Sequence, residues 1–238
     1  MPHLHHKIDF IGSAHYVEFS PDGQRLAIVN SSKETVIIYD VKSWRVILEI
    51  HELVIAFAFL NFGGQSFAIG NMQGVIKIWE NGTFTKIKQL HSYRVDKIKL
   101  LGEKLVSMCR LRREVRLWNL KDDTVTHFEQ KFCDLPYAGC NLTNQVLIED
   151  ATTINLYDVI TDTITHTIDI TNLKVLKSVI SPNGQYIACL CDDQKVRLFE
   201  SDGKKVGEVS HIGEDAAIIS FDLQSRYIIV AFVDGRDL

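Results

Sequence analysis

Val75-Ile76-Lys77-Ile78-Trp79-Glu80 is a short run rich in β-branched residues, with apolar side chains at alternate positions and an aromatic–acid ending. That alternation fits a half-buried β-strand. The pattern returns as Val36-Ile37-Ile38-Tyr39-Asp40, Val115-Arg116-Leu117-Trp118-Asn119, Ile154-Asn155-Leu156-Tyr157-Asp158 and Val196-Arg197-Leu198-Phe199-Glu200. The aromatics Tyr39, Trp79, Trp118, Tyr157 and Phe199 therefore recur at a step of about 40 residues, the period of a four-stranded repeat.

A second marker shares that step. Ser20-Pro21-Asp22-Gly23 and Ser181-Pro182-Asn183-Gly184 are turn sequences four periods apart, in which proline presets φ and glycine accepts a positive φ. Related turns fall at Asn61-Phe62-Gly63-Gly64, Leu101-Gly102-Glu103, Leu142-Thr143-Asn144 and Asp222-Leu223-Gln224-Ser225. Each unit then reads as four strands, a to d, which in the first unit are 15–19, 26–29, 36–39 and 45–50. Later b strands fall at 66–69, 105–108, 145–148, 186–190 and 226–232, and later d strands at 84–88, 124–128, 163–168 and 205–209. The inner strands are nearly continuous apolar runs, as sheets packed on both faces require. The d strands are more polar, as outer edges are. No segment has a helical period. The expected fold is all-β: a β-propeller of four-stranded antiparallel blades, five complete and a sixth partial, in a single domain over 1–238 that is incomplete at its C-terminus.

Composition narrows the class. The 46% hydrophobic and 24% charged shares are those of a soluble globular protein. A formal net charge of −4 argues against a general nucleic-acid or membrane-surface binder. No run approaches the roughly 18 apolar residues of a membrane helix. The N-terminus lacks the apolar core of a signal peptide, which predicts a cytoplasmic or nuclear protein that is not secreted. The five cysteines lie mostly within predicted strands and read as buried reduced thiols; Cys189 and Cys191 are too close for the usual metal pair.

The aromatic–acid strand ends, the proline–glycine turns and the period resemble the WD-repeat β-propeller family over nearly the whole chain. That fold hosts many unrelated functions. The resemblance implies a buried relay joining a histidine before strand a, an aspartate in the b–c turn and the strand-c tryptophan, here Trp79 or Trp118. His51, His91 and His211 stand at the first place, with Gln73, Arg112 and Asp234 at the second. Only the sixth unit keeps both, His211 with Asp234; Asp193 holds the turn of a fifth unit that lacks the histidine. The blades are therefore expected to rest on apolar packing, at roughly 1.5–3 kcal/mol for each fully buried Val, Leu or Ile. The sixth unit ends after its b–c turn, at 233–238. Residues 7–11 suit strand d of that last blade, and its strand c has no candidate. Three accounts stand: truncation of a longer, seven-bladed ring, completion by a second chain through strand addition, or an open fragment. The abrupt stop favours truncation.

Propellers of the kind this chain resembles bind partners on the face of the d–a and b–c loops. In the third unit those loops carry Tyr93 and Arg94, and Arg110, Arg112 and Arg113, within an acidic chain. The guanidinium fork suits carboxylates, phosphates and aromatic faces. The expected role is a non-catalytic scaffold presenting loops to partner proteins in a multiprotein complex, with these arginines docking an acidic segment. They read equally as a solvated turn that keeps the surface soluble. Phe132 and Tyr137, in the loop 131–137, are a second contact or aromatics tucked over their own blade. One alternative is a subunit of an RNA–protein complex whose arginines meet phosphates, with affinity falling steeply as salt rises. The other is a propeller hydrolase or lactonase, which needs inward carboxylates on strand a; here those strands carry apolar residues and Lys97, Lys99 and Lys177. No nucleophile elbow, phosphate-cradling loop or zinc-ligand spacing occurs, so no enzyme activity, cofactor or metal is expected. His3, His5 and His6 lie at a terminus without a second shell.

Overall fold

A computed structural model describes residues 14–30, 34–129, 144–150, 152–210, 216–222 and 224–232. Among them every regular element is a β-strand, and none forms a helix long and apolar enough to cross a membrane. The chain divides into two compact units, Met1–Ile98 and Lys99–Leu238.

The first unit holds two antiparallel four-stranded sheets, each in simple sequence order. One is β1 (Ala14–Phe19), β2 (Arg25–Asn30), β3 (Thr35–Asp40) and β4 (Val46–His51); the other is β5 (Ala56–Phe59), β6 (Phe67–Gly70), β7 (Val75–Glu80) and β8 (Thr83–Gln89). Val29, Val36, Ile38 and Ile50 of the first sheet share one buried cluster with Phe57, Phe59, Phe67 and Ile69 of the second. Phe57 stacks on Phe67 at 5.2 Å, and Phe67 stacks on Trp79 at 5.8 Å, with Phe84 edge-on to the indole at 5.0 Å. Such offset and edge-on contacts are the arrangements the ring quadrupole favours. Trp79 is thus a packing residue, as expected.

The second unit repeats the plan. β9 (Lys97–Leu101), whose first two residues belong to the first unit, forms a sheet with β10 (Lys104–Cys109), β11 (Glu114–Asn119) and β12 (Val125–Glu129). Next come β13 (Gln145–Glu149), β14 (Thr153–Asp158) and β15 (Thr163–Asp169), for which strand a falls outside the described residues. A four-stranded sheet of β16 (Val175–Ile180), β17 (Tyr186–Cys191), β18 (Lys195–Glu200) and β19 (Lys205–Ser210) follows, then the pair β20 (Ala216–Phe221) and β21 (Ile228–Phe232). The sequence-derived strands coincide with these to within a residue or two at most ends. Both 7–11 and 233–238 lie outside the described residues.

Successive sheets of this unit bury one another. Val106, Met108, Val115 and Leu117 pack with Val146, Ile148 and Tyr157; Leu147, Ile154 and Leu156 pack with Ile180, Ile187 and Phe199; Val179, Ala188 and Leu190 pack with Ile219. Cys109, Cys189 and Cys191 are buried free thiols, and burial raises the pKa of Cys189 and of Cys191. The outer strands are exposed as expected, yet they bear apolar residues too, among them Val46, Ile47, Ile87, Ile164 and Val209.

Local hydrogen bonds fasten the turns. Ser20 Oγ accepts from Arg25 N (2.9 Å) and donates to Asp22 (2.6 Å), while Ser181 Oγ accepts from Tyr186 N (2.9 Å) and donates to Asn183 (2.7 Å). The strand-c aromatics find a partner that the family relay does not name. Trp118, 1% exposed, donates its Nε1–H to Asp123 at 2.7 Å, and the Tyr157 hydroxyl donates to Asp162. Both aspartates sit five residues on, in the c–d turn at positive φ. Lys104 also reaches Asp162, at 2.6 Å, and with Tyr157 holds that carboxyl below the usual carboxylate range.

In the second sheet the b–c turn is bonded to the d–a loop through the backbone. Gly74 O accepts from Leu90 N and His91 N, both at 3.1 Å, and Asn71 O accepts from Val95 N at 3.0 Å. His91 is buried, and the Gln89 side-chain amide donates to both Gln73 O and His91 O at 2.5 Å, so the b–c turn is stitched to the d–a loop by peptide groups and one side-chain amide. Gly74 has φ +84°, and a Cβ there would lie 2.1 Å from His91 O.

Two outcomes follow. Gly82 has φ +83° with open space around it, so Gly82→Ala is expected to cost about 1–2 kcal/mol for the left-handed conformation alone. Gly74→Ala, which adds a backbone clash, is expected to cost clearly more; equal urea midpoints would refute the stitching. Asp162→Asn is expected to be less stable than the parent at pH 7. A depressed carboxyl contributes stability that is fully present above its unfolded value of about 3.9 and is lost as pH falls through the lower folded value. The gap between the two proteins should therefore begin to narrow as pH falls below about 3.9 and close only below the folded value in chemical denaturation, and a gap of constant size across that range would count against the ion pair.

Candidate interaction surface

The hairpin β10–β11 pairs without a bulge from Lys104↔Asn119 to Cys109↔Glu114, leaving Arg110-Leu111-Arg112-Arg113 as its connection. Arg113 N donates to Arg110 O at 3.1 Å, and Arg113 takes φ +56°. A regular ladder beneath and a closed turn above hold these four residues in one place. All four are exposed, and Leu111 is 65% exposed. Among the described residues neither the Arg112 nor the Arg113 guanidinium has an ion-pair or hydrogen-bond partner, whereas Arg110 is already engaged.

Several other charged side chains of this unit are paired internally. Arg197, nearly buried, binds both oxygens of Asp193 and lies 3.3 Å from Glu208. Lys195 and Lys205 approach Glu208 at 2.6 and 2.5 Å and hold its carboxyl down at about 2. Asp192 meets Lys174 at 3.1 Å. The acidic b–c turn of the fifth repeat is thus neutralised by its own strands. The buried Glu149 carboxylate accepts from the Ser178 hydroxyl, which satisfies a group otherwise costly to desolvate.

Tyr93 and Arg94 belong to the first unit, and Arg110, Arg112 and Arg113 to the second. Tyr93 is 39% exposed on the loop stitched to Gly74, while Arg94 Nε is held by Asp96 at 2.7 Å. His51 is exposed, 3.9 Å from Glu49. Phe132, Tyr137, His211 and Asp234 lie outside the described residues. The Arg110–Arg113 turn also exposes Leu111, which its sequence pattern did not single out. Its signal was available: such turns favour Gly, Asn, Asp or Pro, and this one carries none of them.

No family model matches the sequence, and no curated protein matches it. Solved structures do. A chain in the crystal structure of the mitotic checkpoint complex superposes with a TM-score of 0.65 at 17% identity, over 90% of this chain and 72% of that one. The β-propeller domain of Myceliophteria thermophila Cps50 (Swd1) superposes with a TM-score of 0.64 at 12% identity, over 92% and 80%. At these identities the likeness is one of fold, and it agrees with the repeated antiparallel sheets: this chain has the β-propeller fold.

Proposed function

We propose that the chain is a WD-repeat-like propeller, a single domain over 1–238, that works inside the cell as a non-catalytic scaffold and displays loops to partner proteins. The observation that carries this reading is the Arg110–Arg113 turn: two unneutralised guanidiniums on a rigid hairpin, in a chain whose net charge is negative. A guanidinium presented without a partner keeps its planar fork for a carboxylate. The partner is then a protein with an acidic segment. One structural neighbour is itself a chain of a multiprotein complex, which supports assembly as the role. Completion of the sixth repeat by further strands belongs to the same proposal, because β21 carries apolar residues in the place strand b takes elsewhere.

Cross-linking mass spectrometry on cells expressing the parent or Arg112→Glu/Arg113→Glu chain tests the reading. At least one protein partner is expected to fall by about tenfold or more in the variant, since reversed charges at a contact both remove attraction and add repulsion. An unchanged partner set, with unchanged thermal unfolding, would refute the site.

A further inference from the structure

Leu111 stands at the tip of the arginine turn and meets solvent over most of its surface. We infer that it is the apolar anchor of this surface, and that the segment bound there is acidic with an apolar residue beside its carboxylates. The inference rests on the reading of the turn as a binding site and names its partner chemistry.

Three observations converge on that chemistry. The tip residue is a leucine, which no turn geometry requires. Arg112 and Arg113 follow it directly, so the apolar contact lies beside two cations that have no ion-pair or hydrogen-bond partner among the described residues. The hairpin below is an unbroken ladder, so the backbone positions of Leu111 and its arginines keep a fixed spacing. An acidic apolar segment satisfies all of these at once: carboxylates meet the forks and an apolar side chain covers Leu111. Arginine is weakly hydrated, so its planar group tolerates burial beside an apolar contact better than an ammonium does. Nucleic acid fits less well. Single-stranded bases are held by stacking on aromatic rings, and the turn 110–113 has none; a phosphate chain would leave Leu111 uncovered.

Fluorescence anisotropy on the full chain tests this. The probes are a fluorescein-labelled Asp-Glu-Glu-Leu-Asp-Glu-Glu peptide, the same peptide with serine for leucine, and a uridine decamer. The parent is expected to bind the leucine peptide about tenfold more tightly than the serine peptide. Leu111→Ser should remove that preference while keeping the residual, salt-sensitive binding of both. If Leu111→Ser retains the parent's preference, or the parent shows none, the anchor is refuted while the arginine site stands. A uridine decamer bound more tightly than either peptide would overturn the partner class. If Arg112→Glu/Arg113→Glu binds both peptides as the parent does, the site itself falls.

Discussion

The β13–β15 and β16–β19 sheets are apolar on both faces, and that constraint organises the packing around them. The β13–β15 sheet shows it: Val146, Ile148 and Tyr157 face one neighbour, and Leu147, Ile154 and Leu156 face the other. The next sheet does the same, with Ile187 and Cys189 on one side and Ala188 and Leu190 on the other. A sheet one residue thick cannot hide two such faces by itself. Stacking sheet on sheet removes both from water, at roughly 25 cal/mol for each Å² of apolar surface covered. Polar groups are thereby driven to strand ends and outer edges.

Because the core is non-directional packing, precision at the sheet ends has to come from hydrogen bonds. The protein supplies these locally: a serine closes each proline-containing turn, an aspartate in the c–d turn takes the strand-c Trp118 or Tyr157, and the Asn71–Gly74 turn is bonded through its backbone to residues 90–95. Hydrogen-bonded ends have few conformations to lose when a partner arrives. The display of rigid loops follows from the way these sheets are terminated.

Charge is arranged by the same economy of neighbours. Arg197, Glu208, Asp193 and Lys195 satisfy one another along one pair of strands, and Arg94 is held by Asp96. Paired charges have little left for a partner, whereas Arg112 and Arg113 keep their full capacity. Position in the primary sequence does not separate these cases; pairing in three dimensions does. A tally of basic residues in the third repeat therefore does not distinguish the paired Arg94 from Arg112 and Arg113.

The linear chain determined the repeat, the strand type and the turn positions, because strand alternation and turn chemistry are local properties that span a few residues. It also located the cationic hairpin. The departure from the relay of the resembled family was legible as well, since Gln73 and Arg112 stand at the matching turn positions. The bonds at the sheet ends were not: the Trp118–Asp123 bond depends on a left-handed turn that swings the carboxylate back over its strand, and Gly74 is joined to Leu90 and His91 by peptide groups that every residue carries. Which arginines remain unpaired was likewise decided only by the folded structure, because ion pairing depends on distances between side chains that folding alone sets.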